Sequence, residues 1–150
     1  MKKLILLLTL AIGFSSYAQM GEKMQEKIKA QKIAFLTDKL QLTSEEAQKF
    51  WPIYNAFEAR VEDIKSKVIR PLKKEMRRND VSDKRAEEIL DKVMDAETDM
   101  HNAKFDLVKD LKQVISAKKI IRLKVAEDQF NQILLDKLKE FRERRRNKKN

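Results

Sequence analysis

From Gln19 to Asn150 the chain holds one glycine, Gly21, and two prolines, Pro52 and Pro71. A sheet reverses direction after every strand, and tight reversals draw on glycine and proline for the backbone angles they need. A sequence this poor in both has few places to turn. Lys, Glu, Ala, Leu and Gln stand there instead, and these are among the strongest helix formers. The expected fold is all-α, with four helices, three of them long.

Residues 1–18 read as an export leader outside that fold. Lys2 and Lys3 precede an apolar run from Leu4 to Phe14, and Ser16-Tyr17-Ala18 offers a small-x-small cleavage pattern ending at Ala18. The run is too short for the ~30 Å hydrocarbon core of a bilayer, which takes about 20 residues. The expected location is therefore periplasmic. The expected layout is a leader over 1–18, a single helical domain over 19–141 and a basic tail over 142–150. There is no cysteine, hence no disulfide. The formal net charge is +10, two units of it in the leader. Outside the inner membrane, such a surface is matched by acidic protein segments or anionic lipid. Nucleic acid is not expected, because the chain lacks a recognition module.

Along the chain, a first helix is expected from Glu22 to Asp38, with Met24, Ile28, Ile33, Phe35 and Leu36 as a ragged apolar face. Leu40 to Leu42 then connect it to a second helix. Thr43 is placed to cap that helix, with Glu46 reaching back to the Thr43 amide, the reciprocal arrangement of a capping box. Phe50, Tyr54, Phe57, Val61, Ile64 and Val68 follow at alternating steps of four and three, a heptad stripe that Leu72 and Met76 continue. Pro52 and Pro71 remove helical donors and are expected to kink or restart this helix, giving it an arc. Asp80 or Ser82 caps a third helix running to about Val114. Its expected core face is Ala86, Leu90, Val93, Met100, Leu107, Leu111 and Val114. Ser116 can cap a fourth helix, with Ile115 and Ile120 at the spacing of a hydrophobic staple; a helix continuous through Ser116 stays open. The fourth helix is expected to bury Ile120, Leu123, Phe130, Leu134, Leu138 and Phe141, then fray into Arg142, Arg144, Arg145 and Arg146.

Two helix starts thus carry similar signatures: Leu42-Thr43 with Glu46, and Ile115-Ser116 with Lys119. With the leader and the missing cysteines, this layout resembles the LTxxQ family of small helical periplasmic stress proteins. The nearer resemblance is to a group of short exported proteins carrying LTxxEAxxFWPIY, matched here by Leu42, Thr43, Glu46, Ala47, Phe50, Trp51, Pro52, Ile53 and Tyr54. Members of that group are named as sensors of extracytoplasmic-function sigma factors or of heavy metals. Glu46 stands where the wider family has Gln, and Lys119 cannot accept an amide proton, so the second copy keeps only its cap. The resemblance implies curved Spy-like helical hairpins in an antiparallel homodimer. It also implies either chaperone-like binding of partly unfolded or acidic client proteins, or docking on the ectodomain of a signalling protein.

Long helices alone also call for a partner. Helices near 30 residues far exceed the usual ~11–12, and a chain built of them has little interior, which pairing in a symmetric dimer supplies. No catalytic constellation is found: His101 is the single histidine, mid-helix, with Met94, Glu97, Asp99 and Met100 as its only candidate co-ligands. The chain is expected to be no enzyme, with no cofactor and no metal. Trp51 and Tyr54 belong either to the core or to an aromatic partner-binding surface. The arginines at 142 and 144–146 either solubilise the helix end or capture acidic clients and, weakly, an anionic membrane surface.

Overall fold

The computed structural model describes residues 23–78 and 80–147. The expected leader lies outside the described residues. Among the described residues every regular element is helical: α1 (23–40), α2 (Ser44–Ile64), a π-turn (Lys65–Ile69), α3 (Arg70–Met76), α4 (Asp83–Leu111) and α5 (Ala117–Asn147). The all-α expectation holds. Contacts divide the chain into two compact units, one over Leu42–Ile121 and one formed by the residues before and after it.

In the Leu42–Ile121 unit, α2 and α4 pack along their heptad faces. Phe50 and Tyr54 are buried on α2, and Phe57, Val61, Ile64 and Val68 continue the stripe half-buried. On α4 the buried set is Ile89, Ala96, Ala103, Leu107 and Leu111, with Val93 and Met100 half-buried between them. This corrects the expected face in one respect: Leu90 is 60% exposed, and the neighbouring Ile89 takes the core position. Ala96 and Ala103 stand out little in the sequence, because a small side chain carries a weak apolar signal. Small buried side chains are what allows a facing ridge to seat close to a helix backbone. Ala96→Leu is therefore expected to overpack the seam and lower stability by about 1–3 kcal/mol, measured by chemical denaturation.

The two prolines act differently. α2 runs through Pro52 without a restart, so of the two expected outcomes there the restart is excluded. Pro52 and Gln48, whose carbonyl loses its donor, both lie on the exposed side, where solvent can take the donor's place. At Pro71 the helix does change. The five residues before Arg70 form a π-turn, in which the Arg70 amide donates to the carbonyl of Lys65 rather than that of Ser66. Pro71 then opens α3, at a position where no donor is required. The apolar steps of four from Ile64 through Val68 and Leu72 to Met76 fit this turn. In a 3.6-residue helix, successive steps of four drift around the surface, and one extra residue in a π-turn takes up the drift.

Ser82 caps α4, accepting from the Arg85 amide at 3.4 Å. Arg85 then clamps the α3–α4 turn, gripping both carboxylate oxygens of Glu75 at 2.6 and 2.9 Å and Glu88 at 2.6 Å. α4 ends at Leu111, short of Val114, and a turn over 112–116 separates it from α5, so the helix does not continue through Ser116. Ile115 is buried and Ile120 half-buried across this start.

In the other unit, α1 reaches Leu40, which is fully buried with Leu36 rather than part of a connector. Gln41, the residue after α1, has φ of 50°, the left-handed conformation common just after a helix. Leu123, Ala126 and Phe130 of α5 are buried, and the Phe130 ring meets Phe35 at 5.6 Å. Leu138 and Phe141, expected in the core, are 53% and 57% exposed. α1 has little to offer them, since its own face thins to Met24, 59% exposed, and the half-buried Ile28.

Candidate functional site

The two capping segments meet inside the Leu42–Ile121 unit. The Thr43 amide donates to Glu46 Oε2 at 2.8 Å, and the Glu46 amide donates to Thr43 Oγ1 at 3.2 Å, completing the capping box. Ser116 Oγ accepts from the Lys119 amide at 3.4 Å. Lys119, useless as a capping acceptor, instead donates from Nζ to Glu46 Oε2 at 2.6 Å, across 73 positions of sequence. The second motif's departure from the first thus becomes the bond that joins them. Leu42 and Ile115, the residues before the two caps, are half-buried and buried.

This junction is charge-assisted and sheltered, the side chains of Lys119 and Glu46 being 20% and 23% exposed. The Lys119 ammonium, then the Thr43 amide, hold the Glu46 carboxyl below its ordinary value of 4.5. The Arg85 guanidinium does the same for Glu75. A carboxylate with a depressed folded pKa contributes stability above its unfolded pKa and loses it as pH falls through the folded one. Thermal midpoints are therefore expected to drop between about pH 5 and pH 3. Glu46→Gln should flatten part of that slope.

The aromatic residues form one cluster. Phe50 stacks on Tyr54 at 5.4 Å, Trp51 stands edge-on to both at 5.0 and 5.7 Å, and Phe57 lies 6.2 Å from Tyr54. Tyr54 is 1% exposed, so its ring belongs to the interior, which corrects its candidacy as a partner-binding residue. Trp51 is half-buried and keeps part of its ring at the surface.

Arg142 and Arg144–Arg146 are exposed but not frayed: α5 carries them to Asn147. Arg145 lies over the Phe141 ring at 5.4 Å, and Arg144 pairs with Glu140 at 3.5 Å. Exposed Leu135, Leu138 and Phe141 therefore share the last turns of α5 with the arginines.

A second exposed stripe runs along α4: Leu90 and Met94 are 60% and 61% exposed, Phe105 67% and Val108 38%. Thr98 and His101 continue it at helical spacing, and both are exposed. His101 has no metal-site company: among the described residues no group of three or more His, Cys, Asp or Glu side chains could hold an ion.

Two cavities flank the α2–α4 seam. One, of about 550 Å³, lies beside Pro52, Phe57 and Leu107 and is crossed by the 2.8 Å Arg60–Asp106 ion pair. The other, of about 390 Å³, opens at the π-turn. Sequence reasoning missed the π-turn cavity, the α4 stripe and the Glu46–Lys119 bond. The spacing of Leu90, Met94, Phe105 and Val108 was available to show the stripe. Comparison with family models, curated proteins and solved structures finds no match for this chain.

Proposed function

We propose that the protein is a non-enzymatic periplasmic stress protein that holds partly unfolded or acidic proteins. The observation that carries this reading is the end of α5, where Leu135, Leu138 and Phe141 stand more than half exposed among arginines. Exposed apolar surface rimmed by charge marks interaction sites. Here the cations speed the encounter with acidic chains, and separated apolar side chains hold them loosely. No helix among the described residues is long and apolar enough to cross a membrane.

The α4 stripe supports pairing of two copies. Run antiparallel about a two-fold between Asp99 and Met100, the stripe sets Leu90 against Val108 of the second copy, Met94 against Phe105 and Thr98 against His101. The same register opposes Glu97 to Lys104 and Asp91 to Lys109, and each contact occurs twice. None of these four charged residues makes an ion pair among the described residues. Such self-complementarity is what an isologous interface requires.

The test is aggregation of several unrelated clients. The protein is expected to suppress it near equimolar ratio, and a Leu135→Ser, Leu138→Ser, Phe141→Ser variant to lose the effect while its circular dichroism is unchanged. A single stable partner in a pull-down, with no effect on aggregation, would replace this reading with that of a signalling sensor.

A further inference from the structure

The cavity at the π-turn opens at the edge of the core, and of the surfaces assigned above only the pairing stripe touches it, through Glu97. Its floor is apolar, with Ile69 and Met76 on one wall and Val93 and Met100 of α4 on the other. None of the four is fully buried. The space between them, about 390 Å³, falls within the ~300–1,000 Å³ range of small-molecule sites. It is too small for a packed helix.

The same walls carry charge of mainly one sign. Lys65, Arg70 and Lys73 line the cavity, against the single carboxylate of Glu97. Lys65 and Lys73 make no ion pair among the described residues, and Arg70 commits Nη2 to Glu62 at 2.7 Å while its other donors stay available. The lining includes no aromatic ring, hydroxyl or amide side chain to read a base, a sugar or a peptide. It offers adaptable thioether and aliphatic surface for a flexible chain, and ammonium and guanidinium donors for one anion.

The geometry points to binding of a single-chain fatty carboxylate, its tail over Ile69, Val93 and the two methionines and its head on the cationic wall. This goes beyond client holding and does not depend on it.

The probe is dodecanoate, titrated into the full chain below its micelle-forming concentration and followed by calorimetry. Dodecyltrimethylammonium (the same tail with a cationic head) and acetate (the head alone) serve as comparisons. Dodecanoate is expected to saturate at about one molecule per chain, as a single small-molecule pocket allows, and the other two to bind far more weakly. Lys65→Glu with Lys73→Glu should weaken it at least about tenfold, as loss of charge-assisted bonds does. Val93→Trp, which fills the floor, should do the same. Lys73→Gln alone carries the test if the double variant fails to fold. Equal binding of the cationic amphiphile, no saturation, or indifference to these variants would overturn the assignment. None of them alters the end of α5, so loss of dodecanoate binding and loss of client holding are separate results.

Discussion

Tyr54→Ala is expected to destabilise the protein by about 3–5 kcal/mol, the range for deleting a buried large aromatic. The ring is 1% exposed, stacked on Phe50 and bordered by Trp51 and Phe57, so its removal leaves a hole that three neighbours cannot all close. Domains of this size hold only ~5–15 kcal/mol of net stability. The loss should be plain in urea denaturation followed by circular dichroism. Trp51→Ala bears on a different question, because that ring is only half-buried. It should cost about 1–2 kcal/mol. If Trp51→Ala destabilised as much as Tyr54→Ala, both rings would be interior and neither available to a client.

In the pairing proposed above, reversing charge at Glu97 or at Lys104 is expected to leave the chain monomeric. In the antiparallel register each substitution sets two like charges opposite one another, twice by symmetry, and like charges at an interface cost several kcal/mol. In sedimentation the parent chain is expected to pair, and the Glu97→Lys and Lys104→Glu chains each to run as monomers at the same concentration. Mixed at equal amounts they should recover the dimer, because the heteromeric pair restores every opposition. A mixture that stays monomeric would exclude this register while leaving each subunit's fold intact. Phe105→Glu offers a second check, since it removes the largest exposed apolar group of the stripe.

Much of the architecture was legible because its signals are local. The Thr43–Glu46 box, the Ser82 cap and the start at Ser116 are fixed by side chains within one turn of the amides they serve, and each was readable from a few residues. The heptad on α2 was equally plain, since bulky side chains mark it. What could not be read was relational. Ile89 and Leu90 are adjacent and similar, and only the side from which a neighbouring helix packs on α4 decides which is buried. Lys119 looked like a failed copy of Glu46 until the two helix starts came together. Pro52 and Pro71 are the same residue with different consequences. One falls where water can replace the lost donor, and the other where a wide turn has already shifted the hydrogen-bond ladder. Leu138 and Phe141 followed the helical period faithfully, but period alone does not say how far a neighbouring helix extends.

The meeting of Glu46 with Lys119 also fixes where this part of the chain begins and ends. The polypeptide enters the unit at Leu42 and departs at Ile121, so its two gateways are held side by side. Segments of that form lend themselves to excision and cyclisation, because new ends can be bridged without crossing the body. A short glycine-rich bridge from 121 to 42 would close residues 42–121 into a ring, and fresh termini opened between α3 and α4 would leave the α2–α4 seam uncut.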